Sequence, residues 1–196
     1  MNIFLLDILA GVAASYHCDK HCVKMILETT QLLYTAWWFG RDSLPMPELD
    51  TCPYDPYNPT HKNHPSAIWV RADPNHYTWL LELGFALCKE YYDRYGGKFH
   101  KCLTHLERLQ TMGPPPKVAE ETYVPPKHKI ATTGLPFGIR FFHCAINDQV
   151  WDKCAVHTNG KLNAVETYRN YYNTKPWALK WHKNTNKKPH WYNPTF

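Results

Sequence analysis

The sequence predicts an all-α protein: a single compact helical domain, residues 1–196, with long proline-rich loops. Three observations carry that expectation. A run from Ala13 to Phe39 has neither Gly nor Pro and keeps helical periodicity. An Asp73-Pro74 start signal is matched by a Gly96-Gly97 stop. The 16 prolines gather mainly between 45 and 65 and between 114 and 136, where they break up any longer regular element.

Taken in order, the first helix covers Ala13 to Phe39 and closes at Gly40. Residues 41–65 form a loop, a short helix covers Ser66 to Arg71, and a long one follows Pro74 to about Arg94. Another helix is expected from Lys98 to about Met112, ended by Gly113 and three prolines. Residues 113–160 read as irregular, with a short strand or helix open as alternatives at 139–144. A last helix starts near Asn163 and runs through Tyr172, is interrupted at Lys175-Pro176, and resumes to about Lys183.

Composition narrows the class. A chain of 196 residues with 44% hydrophobic content can bury a core without staples and is not globally disordered. No apolar run approaches the roughly 18–20 residues that cross a bilayer. Met1 to Ala10 contain Asp7 and no basic flank, so neither a membrane span nor a secretory signal is expected. The expected location is intracellular, in the cytoplasm or in that of a host cell. Seven cysteines, an odd number without a CxxC, read as reduced and mostly buried thiols.

Charge is uneven along the chain. The whole carries +5, whereas residues 161–196 hold seven Lys and Arg against Glu166 alone, so the first 160 residues come to −1. Within that basic stretch Lys175, Lys180 and Lys183 alternate with Trp177, Trp181, Trp191 and Tyr192. Cations interleaved with flat rings suit a polyanion that carries bases.

The first helix has an unusual face. On a wheel of 3.6 residues per turn His17, Lys20, His21, Lys24, Glu28, Gln31 and Thr35 share a stripe about 100° wide, and most of the remaining circumference is apolar or small. Two readings stay open: a narrow solvated face with pairs such as Lys24–Glu28, or a polar stripe looking into a cleft. Metal is a weak candidate, because the His17/His21 and Cys18/Cys22 pairs diverge by about 100° around a helix, and no metal or cofactor is expected. No HExxH, P-loop, GxSxG or GxGxxG occurs. A second cluster, Asn63-His64-Pro65 with Trp69, Arg71, His76 and Trp79, could hold a phosphate or stack on a base. Trp69 and Trp79 read better as core anchors, and Arg71 stays open between an ion pair and DNA.

Asp19-Lys20-His21-Cys22 with Glu28 seven residues after His21, the block at 63–96 and the ending TYRNYYNTKPWA at 167–178 together resemble the pyrimidine-dimer DNA glycosylase/AP lyase family of the phage endonuclease V type. The three blocks stand in the family's order along the chain. The resemblance implies attack by an N-terminal α-amine on C1′ of a damaged nucleotide, an imine, and strand cleavage by β-elimination. An α-amine, with an ordinary pKa near 8, leaves a useful neutral fraction at pH 7. It also implies Glu28 as the carboxylate beside the reacting sugar, His21 as its neighbour positioning the sugar-phosphate, and Lys20 and Lys24 on phosphates. The amine would belong to Met1, or to Asn2 where Met1 is removed, although Asn is a poor context for that removal. Contacts with double-stranded DNA are then expected from His17, Lys20, Lys24, Gln31, His64, Arg71, Lys175, Trp177, Lys180 and Trp181. Leu27 and Gln31 stand where the family has Arg, which leaves the lesion open. Two other readings remain: a non-catalytic nucleic-acid-binding protein, and a viral DNA base- or nucleotide-modifying enzyme on the same scaffold.

Overall fold

Ile3, Phe4, Leu5 and Leu6 are buried one after another. Four consecutive buried side chains leave the segment no face toward water, so the chain starts threaded through the core. The computed structural model describes residues 1–41, 45–46, 52–116, 126–175, 179–183 and 188–194. Among these the protein is mostly helical: α1 (Ala10–Tyr16), α2 (Asp19–Gly40), α3 (Pro65–Arg71), α4 (Pro74–Arg94), α5 (Cys102–Met112), α6 (Asp148–Cys154) and α7 (Ala164–Asn173). Two antiparallel pairs accompany them, β1 (Ile130–Ala131) with β2 (Phe142–His143) and β3 (His157–Thr158) with β4 (Lys161–Leu162).

The expected first helix is two helices. His17 and Cys18 turn extended, with ψ of 132° and 161°. The local cause is a competition for one carbonyl: the His17 ring takes Ala13 O at 2.7 Å, and the His17 N–H shifts to Ala14 O. The distant cause is Arg94. Its guanidinium donates to His17 O at 2.7 Å and Ser15 O at 3.0 Å, satisfying carbonyls that the break leaves open, while Glu90 and Asp19 hold its charge.

Behind the break, α2 runs 22 residues and crosses α4 and α5 closely. Gly84 makes the crossing possible, since a Cβ there would meet Thr29 Cγ2 and Leu106 Cδ2 at 3.0 Å. α4 starts as its signal predicts, with Asp73 Oδ1 accepting from Asn75 N ahead of Pro74, and α3 starts at Pro65, where the His64 ring accepts from Ser66 N. α5 begins at Cys102 rather than Lys98 and stops at Gly113, whose φ is +68°.

Residues 113–160, read as irregular, hold β1, β2, α6 and β3 among those described, and β4 follows directly. The signals were short: Asn147 caps α6, and Asn159-Gly160, both at positive φ, turn the second hairpin. Asn163 likewise caps α7. The helix expected to resume toward Lys183 does not form over 179–183, where the chain is irregular. All seven cysteines are free and buried. No helix among the described residues is long and apolar enough to cross a membrane.

Burial lowers the pKa of His17 and of His143 from the ordinary 6.5 to about 4. Both stay neutral in the fold while the unfolded chain takes up protons below pH 6.5. Stability from this source is whole above pH 6.5 and is lost as pH falls toward 4, by about 1.4 kcal/mol per pH unit for each histidine. Urea unfolding between pH 7 and 4.5 should show that decline, and His143→Phe should flatten its slope by about one histidine's share.

Candidate active site

Glu28 lies in the middle of α2, where its backbone bonds are internal to the helix, and is only 9% exposed. A carboxylate that deep needs partners on both oxygens. Oε1 meets Lys24 Nζ at 3.1 Å, one helical turn away. Oε2 accepts the Asn2 N–H at 2.9 Å and lies 3.9 Å from the Met1 amine. The threaded segment therefore delivers the amino end of the chain to a carboxylate 26 residues on. Its register is fixed by the Asn2 side chain, whose Nδ2 donates to Ala145 O and whose Oδ1 accepts from the Tyr168 hydroxyl and Ile3 N.

Around this contact is an open cleft of about 300 Å³. His21 and Lys24 of α2, Phe4, Asn147 after β2, and Tyr171 and Lys175 at the end of α7 line it with Glu28 and the amino end. Phe4 stacks on the His21 ring at 4.7 Å, and His21 Nδ1 pairs with the Tyr172 hydroxyl at 2.7 Å. Burial first, then His17, Lys175, Lys24 and Lys20, lower the His21 pKa to about 3, so its ring is neutral at pH 7. The amine, Lys24 and Lys175 face Glu28 as the carboxylate of the cleft, which makes its balance positive. Such a site can hold an anionic group beside an amine and a carboxylate able to exchange a proton.

His64 belongs to the same neighbourhood. Its pKa is lowered to about 4 by burial, then by the charge of the amino end and by His61, with Glu28 acting the other way. The structure thus brings Met1, Asn2, His21, Lys24, Glu28, His64 and Lys175 together from distant parts of the chain. Lys20, exposed, and Gln31, one turn beyond Glu28, stay on the α2 stripe outside the cleft lining.

Four other candidates stand elsewhere. His17 is wholly enclosed, because the break before α2 takes it off the stripe; its Nδ1 is spent on Ala13 O. Arg71 is 2% exposed and lies over the Phe39 ring at 5.4 Å, inside rather than on a DNA-facing surface. Trp181 is buried with Nε1 on Tyr16 O, and Tyr192 packs against it, so these rings are core, not a stacking platform. Lys180 is exposed but its carbonyl caps α2 through Asp19 N, and Trp177 lies outside the described residues. Trp69 and Trp79 are in the core, as read.

No family model, curated protein or solved structure matches the chain. Among the described residues no three His, Cys, Asp or Glu side chains gather as a metal site. The residues missed at the sequence level are Phe4, Asn147, Tyr168 and Tyr172. Tyr-x-x-x-Tyr in α7 was the available signal, since residues four apart share a helix face.

Tyr168 is fully buried; its hydroxyl donates to Asn2 Oδ1 and accepts Ala145 N–H at 3.0 Å. Tyr168→Phe strands that N–H and should cost about 1–3 kcal/mol in urea unfolding, while adding disorder at the amino end seen as faster hydrogen exchange at Asn2 and Ile3.

Proposed function

We propose that the protein is a DNA N-glycosylase, with AP lyase activity where the imine forms, acting on a damaged or modified pyrimidine turned out of duplex DNA. One observation carries this reading: an α-amine, the buried Glu28 carboxylate and Lys24 meet in a cationic cleft. The resemblance of the Asp19-x-His21 to Glu28 spacing supplies the reaction, and the cleft supplies groups able to perform it.

In that reaction Glu28 takes a proton from the amine, whose nitrogen then attacks C1′ while the bond from C1′ to the base breaks and the base leaves with a proton. The sugar ring then opens as the C1′–O4′ bond breaks and O4′ takes the proton held by Glu28, which leaves an iminium at C1′ whose cationic character is stabilised by the restored carboxylate. Loss of the C2′ proton expels the 3′ phosphate by β-elimination, and water returns the amine. The nucleophile is the amine at Met1, or at Asn2 where Met1 is removed; the Asn2 nitrogen already lies 2.9 Å from Glu28. Lys24, Lys175 and His21 line the side on which the strand's phosphates would be held.

The alternative of a non-catalytic binder rested on the C-terminal rings as a base-stacking surface. With Trp181 and Tyr192 buried and Trp191 packed on Tyr16 and Tyr172, that surface loses its main members. A base-modifying enzyme on the same scaffold would use the stripe without an imine, and trapping separates the two.

Incubation with an abasic duplex or a cyclobutane-dimer duplex plus borohydride should give a covalent band attached at the amino-terminal residue, which peptide mass identifies. Glu28→Gln should lower base release or abasic-site incision by about 10²–10⁴-fold while duplex affinity stays nearly unchanged. Equal incision by the variant overturns the reading. Lys175→Ala should reduce the slope of log affinity against log salt by about one phosphate contact.

A further inference from the structure

We propose that Tyr172 is a positioning residue: its hydroxyl donates to Nδ1 of His21 and holds the ring in the tautomer that offers Nε2–H to a phosphodiester oxygen lying between Lys24 and Lys175. The ligand in this inference rests on the DNA-processing reading above; the tautomer does not.

A neutral imidazole has one N–H, so which nitrogen carries it decides whether the ring attracts or repels an anion. Nδ1 of His21 and the Tyr172 oxygen are 2.7 Å apart, and either could donate. The surroundings choose. Tyr172 is fully buried, and among the described residues the acceptor within reach of its hydroxyl is Nδ1 of His21. A phenol proton kept in the core needs an acceptor, and the reverse bond would leave that O–H buried and unmet, so the hydroxyl donates to Nδ1. Burial keeps Tyr172 protonated, so it retains a proton to give.

The ring cannot turn to exchange its nitrogens without losing this bond. Phe4 lies flat on it with planes 13° apart, and Tyr172 presents its edge at a centroid distance of 5.3 Å. With Nδ1 accepting, the only proton of the ring sits on Nε2. The charged and titratable groups acting on the ring are Lys20 and Lys24 from α2, Lys175 from beyond α7 and His17 from the end of α1. They favour the neutral ring, and a neutral donor flanked by Lys24 and Lys175 suits a phosphodiester, whose oxygens accept only. Tyr168 and Tyr172 thereby divide one task. One hydroxyl fixes the amino end through Asn2, and the other fixes His21.

The test is the histidine ¹⁵N spectrum of the whole protein. Wild type should show His21 with a protonated Nε2 and an unprotonated Nδ1, and Tyr172→Phe, which keeps the ring and removes the hydroxyl, should move the proton toward Nδ1. A wild-type His21 protonated at Nδ1, or an unchanged tautomer in the variant, overturns the proposal. Because the wild-type spectrum decides the tautomer alone, a poorly folding variant does not leave the matter open. Binding of a duplex with a tetrahydrofuran abasic analogue gives the second readout. Tyr172→Phe should weaken it about tenfold, and in a His21→Gln background, whose amide donor needs no tyrosine, the same change should weaken it less than twofold. A full tenfold loss in that background assigns Tyr172 a merely structural role. If wild type neither incises nor binds the duplex but shows the Nε2–H tautomer, the function fails and the positioning stands.

Discussion

The arrangement depends on burying Ile3 to Leu6 and bringing the partly buried Met1 and Asn2 in beside them. An amino end carries a charge, and a charge drawn into a core must meet its opposite there. Glu28 is that opposite, held in mid-helix with Lys24 on its other oxygen. Once the segment is threaded, the positions of the end of α1, of α2 and of α7 follow, since Phe4 packs on His17, His21, Tyr168, Tyr171 and Tyr172 at once. A contact that looks like structural neutralisation is also the place where an amine and a carboxylate come within reach of an incoming group.

Arg94 is the second organising residue. It sits at the last turn of α4, is 7% exposed, and binds carbonyls at the end of α1 together with carboxylates of α2 and α4. By accepting the broken stretch at His17 and Cys18 it sets the angle at which α2 leaves, and so where the stripe of α2 points. His21 looks into the cleft because His17 does not.

Legibility in the sequence followed the range of the interaction. Within α2, spacing alone placed His21, Lys24 and Glu28 on one face, because a helix sets those neighbours over two turns. The starts of α4 at Asp73-Pro74 and of α7 near Asn163 were readable for the same reason. His17 was misplaced because the break is imposed by a side chain 77 residues later, and no Gly or Pro marks it. The basic, aromatic end was read as a surface because lysines and rings alternate; Trp181 and Tyr192 instead bury their rings and leave neighbouring lysines outside. Arg71 could not be assigned from sequence, since its place over Phe39 is a tertiary fact. The fold class held in its main part, and the two hairpins, each strand two residues long, are too short to make a periodic signal.

Seven thiols lie inside this protein without a bridge among them, and they are spread over α2, α4, α5, α6 and the connecting segments. Burial raises the pKa of Cys22, Cys88 and Cys144 to about 12, so these sulfurs are protonated as well as shielded. Each one becomes available to an alkylating reagent only when its own element opens. The chain therefore carries a built-in set of clocks: the order in which the cysteines are labelled would rank the helices by how readily each departs from the native packing.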